Sequence, residues 1–240
     1  MPDAPRIPPL EPPYDPDTEA MLRRWMPPGA DVEPLALFRT LAVHEDLAAR
    51  MRPLGAGILG HGRLDPRDRE IVIARACARA GAEYEWGVHA VAFARPLGLT
   101  DEQIAATVHG RADDPAWSER EALIVRLVDE LHDTATVSDG LWSELAAHWA
   151  ADQLLELVVA AGWYRLLSGV INAARVPLEP ATLQEGERHR EHERPLDSFS
   201  QRDGQGFEQG SSVSGRASRR PAPDARPGRS GESRSRARSR

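Results

Sequence analysis

At 240 residues, 41% of them hydrophobic and 5% aromatic, the chain can build one domain with a real core but not two comfortable ones. All thirty basic residues are arginine; nine of them fall between Arg216 and Arg240, so that segment carries +7 and the rest of the chain −14 of a net −7. An acidic body with a basic end does not have the profile of a nucleic-acid-binding domain. The single cysteine, Cys77, excludes an internal disulfide and a dithiol redox pair.

Taken in chain order, residues 1–31 are proline-rich. Proline fixes φ and removes a backbone donor, so the segment reads as an extended arm with one short helix near Thr18 to Trp25. "MPDAPRIPPLEPPYDPD" has neither a basic nor an apolar leader region, which points to a cytoplasmic protein. Residues 32–182 read as one all-helical domain. Pro34 opens "PLALFRTLAVHEDLAARM", where Leu35, Phe38, Leu41, Ala42 and Leu47 recur at helical spacing, and "GAGILGHG" then reads as a glycine-rich break.

Asp65 and Pro66 form a cap-then-proline start for "RDREIVIARACARA", and Gly81 is placed to end that helix. The next helix runs from Glu83 to about Arg95, making a helical hairpin. Thr100 with Gln103 forms a capping box, Asp114 and Pro115 repeat the cap-then-proline pattern, and Ser138 caps "DGLWSELAAHW". The last helix, about Asp152 to Ala174, is apolar nearly all round and must be buried on most sides, within the fold or in an oligomer. Glu156 and Arg165 interrupt its apolar run, which argues against a membrane span. Residues 183–240, rich in Arg, Ser and Gly, cannot bury enough surface to offset their ordering entropy and are expected to be disordered.

The chemistry-bearing stretch is "EYEWGVH". Glu85 and His89 are i,i+4 and share one helix face. In an antiparallel hairpin Glu70, eleven residues before Gly81, approaches His89, eight after it. Burial raises a carboxyl pKa and a neighbouring imidazole lowers it, so a Glu–His–Glu cluster can hold a proton near neutral pH. Spacing alone leaves open an ordinary Glu–His pair on a solvated face, worth about 0.2–0.5 kcal/mol. Tyr84 and Trp86 flank Glu85 and either line a pocket or pack into the core. The set Glu70, Glu85 and His89 also has the donor types of a zinc or iron site, although the other histidines have no ligand spacing to it.

Glu70, Glu85 and His89, followed by "AVAFARPLGLTDEQI", resemble the carboxymuconolactone decarboxylase and alkylhydroperoxidase family over about Leu47 to Leu178. The family's peroxidase branch carries Cys-x-x-Cys-x-x-x-His. Aligned on His89, its cysteine positions fall on Ala82 and Glu85, so neither motif thiol is present. The resemblance therefore implies the decarboxylase-like branch. It implies a helical bundle, a small carboxylated lactone or related carbonyl substrate, and no metal or organic cofactor. Glu70, Glu85 and His89 would be catalytic and Tyr84 and Trp86 substrate-binding. A homo-oligomer, trimer or hexamer, is implied as well. The alternatives are a peroxide-reducing protein using Cys77, and a non-catalytic helical oligomer or metal-binding module.

Overall fold

The computed structural model describes residues 4–27 and 29–179, and the low-complexity segment expected from residue 183 lies outside them. The described secondary structure is entirely helical. In order it comprises α1 (Pro16–Trp25), α2 (Ala36–Leu41), a 3-10 turn (Ala42–His44), α3 (Glu45–Gly60), α4 (Pro66–Arg79), α5 (Glu83–His89), a π-helical turn (Ala90–Ala94), α6 (Asp101–His109), α7 (Glu119–Thr134), α8 (Asp139–Ala146) and α9 (Ala151–Ala174).

The helix ends follow local chemistry. Asp65 accepts from the Arg67 N–H at 2.8 Å with Pro66 at the first helical position of α4. Gly81, at φ +65°, supplies the left-handed residue that lets the chain reverse into α5. Thr100 and Gln103 close a reciprocal capping box on α6. Ser138 caps α8.

Three segments differ from the sequence reading. The "PLALFRTLAVHEDLAARM" segment is not one helix: α2 gives way to the 3-10 turn and α3 starts at Glu45, its N-terminus capped by the His44 ring. "GAGIL" is no break but the last part of α3. Gly55 packs there against Trp163 of α9, where an added Cβ would lie 3.2 Å from the indole. Close helix approach, not chain reversal, explains that glycine. In the third, Asp114–Pro115 forms a turn, with Asp114 accepting from the Ala116 N–H, and α7 starts four residues later with Ser118 as its cap. The Ser118–Glu121 capping box satisfies two orphan donors there, which the Asp–Pro pair alone does not.

α4 is the centre of the bundle, packed by α5, α6, α7 and α9. Its residues from Asp68 through Cys77 are buried without interruption. Four charged side chains lie in that run, so each needs partners inside the protein. Arg75 makes a bidentate pair with Asp129 at 2.8 Å and donates to the Thr107 and Gly110 carbonyls. Asp68 accepts from Arg120 at 2.7 and 2.5 Å and from the Trp149 indole at 3.1 Å. These pairs tie α4 to α7 and to the turn before α9.

α9 is long and apolar enough to cross a membrane by length and composition, yet half of its most apolar window is buried in the bundle. Leu157, Ala160, Tyr164 and Leu167 face inward, while Leu155, Val159 and Leu166 stay exposed. The proline-rich arm lies against the same helix: the Arg6 and Ile7 N–H groups donate to the Ala174 carbonyl.

Candidate active site

The hairpin of α4 and α5 brings Glu70, Glu85 and His89 together in the interior, exposed by 0%, 6% and 3%. His89 Nδ1 lies 2.7 Å from Glu70 Oε2, and Nε2 lies 3.7 Å from Glu85 Oε1. A carboxylate can only accept, so Nδ1 carries the hydrogen and donates it to Glu70, leaving Nε2 turned towards Glu85. The 3.7 Å gap is too wide for a direct hydrogen bond. Phe93, from the π-helical turn, stacks on the imidazole at 4.8 Å, and Tyr164 of α9 meets it edge-on at 5.0 Å. π-Helical turns recur at functional sites, and this one directly follows the histidine.

Burial raises the Glu85 carboxyl above its ordinary range, and the Glu70 charge adds to that; His89 opposes it. Burial pulls the His89 imidazole down, but the hydrogen bond and charge of Glu70, together with Glu85, outweigh it and leave the net shift upward. Both groups therefore hold their protons more tightly than they would in water. Both shifts run the same way, each favouring the protonated form of its own group.

Arg69 completes the surroundings. Its Nε lies 3.4 Å from the other Glu70 oxygen, Oε1, so Glu70 is held between a guanidinium and an imidazole. Neither Arg69, Phe93 nor Tyr164 was singled out by sequence. Arg69 is hidden in the charged run "RDRE", and Tyr164 in an otherwise apolar helix.

The polar ends of Tyr84 and Trp86 are engaged elsewhere. The Tyr84 hydroxyl donates to Glu179 at 2.7 Å and accepts from the Leu37 N–H, while the Trp86 indole donates to Thr107 at 2.9 Å. Both rings are buried in the main core. Cys77 is fully buried, and burial, with the charges of Glu85 and Glu70, pushes its thiol well above the ordinary range. Such a thiol does not supply the thiolate that peroxide reduction needs, which weighs against the peroxidase alternative. Among the described residues no group of three or more His, Cys, Asp or Glu side chains is arranged to hold a metal ion.

The apolar grooves beside the bundle lie apart from this cluster. A groove of about 340 Å³ between α7 and α9 is lined by Ala76, Leu131, His132, Val158 and Arg165 and contains none of Glu70, Glu85 and His89.

Comparison with known proteins agrees with this architecture. The cysteine-to-alanine variant of the debrominase Bmp8 bound to 2,3,4-tribromopyrrole superposes with a TM-score of 0.64 at 16% identity, covering 76% of this chain and 96% of that one. A peroxidase-related protein from Silicibacter sp. TM1040 gives 0.61 at 13% identity over 72% and 93%. A protein of unknown function from Agrobacterium tumefaciens, a candidate antioxidant defence protein AhpD, gives 0.54 at 19% identity over 58% and 94%. At these identities the likeness is one of fold. No curated protein matches the chain in sequence. Residues 45–127 match the model of the carboxymuconolactone decarboxylase family, and that segment holds the whole Glu70–Glu85–His89 hairpin.

Proposed function

We propose that the protein is a cofactor-free proton-transfer enzyme acting on a small carboxylated lactone or related carbonyl compound. The observation that carries this reading is the buried Glu70–His89–Glu85 series, in which one histidine contacts one carboxylate and faces a second across an open gap. Loss of CO₂ breaks one carbon–carbon bond and leaves its electron pair on the substrate as an enolate. Glu85, whose carboxyl burial shifts towards the protonated form, delivers a proton to that carbon, and the His89 imidazolium stabilises the enolate oxygen. Glu70 fixes the ring and keeps it charged. The aromatic faces of Phe93 and Tyr164 exclude water from the developing charge. The absence of both motif cysteines, with Glu85 at one of their positions, favours proton transfer over disulfide exchange.

We also propose that the protein is a cytoplasmic homo-oligomer. Leu155, Val159 and Leu166 on α9 and Trp142 on α8 are large apolar side chains left at the surface, which supports self-association through that face.

The test is a mass-spectrometric screen of carboxylated lactones and β-keto acids with wild type and His89→Ala, with peroxide as a separate arm. CO₂ loss that depends on His89 is the expected result. Thiol-dependent peroxide consumption without His89-dependent CO₂ loss overturns it.

A further inference from the structure

Glu70, Glu85 and His89 are all buried, and the grooves beside α9 do not reach them. Neither the groove lined by Leu131, His132 and Arg165 nor its neighbour lined by Trp142 and Leu155 contains any of the three. A reactant has to displace part of the cover to meet the imidazole. Two aromatic rings touch that imidazole. Tyr164 comes from α9 and is buried in the main core. Phe93 is different. Its ring stacks on the imidazole at 4.8 Å with the planes 24° apart, yet it is only half-buried, so it stands between His89 and solvent. Its neighbours in sequence, Ala92 and Ala94, are small, and Ala92 is exposed.

The backbone under Phe93 is the π-helical turn Ala90–Ala94. Its closing bond, from the Arg95 N–H to the Ala90 carbonyl, is long at 3.4 Å, whereas the following bond of the same span, Leu99 to Ala94, is 3.0 Å. A π turn holds one residue more than an α turn, so tightening it to α geometry rotates the residues beyond by about 100° around the axis. The phenyl ring has no hydrogen bond to hold it, and aromatic stacking biases it towards the closed position by about two- to tenfold. An open form is then populated without any ligand. A ring placed only for packing would sit wholly inside, as Tyr84 and Trp86 do in regular α5. We propose that Phe93 is the gate of the site. Closed, it stacks on His89 and keeps water out; swung away on the loosened turn, it opens the path by which substrate reaches the imidazole and Glu85. This inference rests on the reading of the Glu–His cluster as a proton-transfer centre and adds the step that admits the substrate to it.

The experiment treats the full chain with diethyl pyrocarbonate, a small electrophile that acylates neutral imidazole, and follows each histidine by peptide mass spectrometry across a range of pH. The midpoint of the rate profile reports the His89 pKa, and the plateau at high pH reports access alone. Exposed His61 serves as the internal control. Wild-type His89 reacts far more slowly than His61. Phe93→Ala removes both the stack and the cover, and the His89 plateau is expected to rise about tenfold or more with His61 unchanged. Phe93→Leu, which keeps an apolar cover without the stack, falls between. Hydrogen exchange of the α4 amides separates a gate from a packing residue: a gate leaves their protection as in wild type, whereas a loosened core lowers it. Should Phe93→Ala not fold, the leucine variant and the fluorine NMR of 4-fluorophenylalanine at Phe93 carry the test, the latter showing exchange between two environments. An unchanged plateau, a rise matched by lost α4 protection, or a single unexchanging fluorine environment overturns the proposal. The two readings fail separately. Phe93-dependent access without any His89-dependent turnover removes the proton-transfer reading alone. His89-dependent turnover with access unchanged in the Phe93 variants removes the gate alone.

Discussion

Glu70 and His89, nineteen positions apart, meet at 2.7 Å in the interior because Gly81 reverses the chain between their helices. Burial by itself would drive His89 towards the neutral form; the Glu70 hydrogen bond and charge reverse that. Glu70→Gln keeps the shape and removes the charge, leaving burial as the main influence. The His89 titration midpoint, followed by NMR of the ring nitrogens, is expected to fall. Glu85→Gln should lower it less, since Glu85 stands farther away at 3.7 Å. An unchanged midpoint in Glu70→Gln removes Glu70 as the group that keeps the ring charged.

The hairpin itself was legible because its signals are local. Asp65, Pro66 and Gly81 each act within a turn of their own position. Glu70 and His89 could be paired by counting residues from that glycine. What counting could not deliver is direction around the helix axis. Arg69 is adjacent to Glu70 in sequence, and only the packing of α4 on all sides forces both inward. Tyr164 enters from α9, 75 positions after His89, with no local pattern to announce it. Gly55 was misread because glycine ends helices and also permits close packing. Trp163, far along the chain, decides which.

Cys77 packs beneath the cluster as a protonated thiol. Native protein should resist thiol-specific reagents at neutral pH and react only on unfolding. Cys77→Ala removes one buried sulfur and is expected to destabilise by about 1 kcal/mol, while His89-dependent turnover persists. Rapid labelling of the native thiol, or turnover abolished in the folded alanine variant, would show that the sulfur takes part.

The Arg75–Asp129 pair joins α4 to α7 with the guanidinium side chain only 3% exposed. Asp129→Ala leaves that cation with two carbonyls and no counter-charge, an expected loss of about 3 kcal/mol in chemical denaturation. Replacing both, as Arg75→Met with Asp129→Leu, should cost less than the single change, because no buried charge is stranded. A single-variant loss below about 1 kcal/mol would mean that the carbonyls alone satisfy Arg75.

The exposed apolar residues of α9 bear on assembly. Leu155 is 64% and Leu166 50% exposed, about three helical turns apart. Leu155→Glu with Leu166→Glu puts charges into any interface that uses this face. Light scattering coupled to size exclusion is expected to show a smaller species than wild type with helicity unchanged. A monomeric wild type, or an unaltered assembly in the double variant, removes this face as the contact.

Stability should respond to alkaline pH through the same cluster. The folded-state pKa of His89 is raised, so its contribution is fully present below the unfolded value of about 6.5 and is lost as pH rises through the folded value. Glu85 is raised too, and has the same sign: the folded state retains a proton that the unfolded chain has released. Where both apply, the unfolded chain binds fewer protons and stability falls with increasing pH. The charged and titratable groups around the pair are Glu70, Arg69, Tyr164 and Cys77. Tyr164 and Cys77 are held neutral by burial over this range, so they do not offset the trend. Chemical denaturation between pH 6 and 9 is expected to show a decline that Glu70→Gln flattens, since that change removes the main cause of the His89 shift. A wild-type profile that rises over this interval would mean that His89 is neutral in the folded protein, and it would take the imidazolium out of the proposed chemistry.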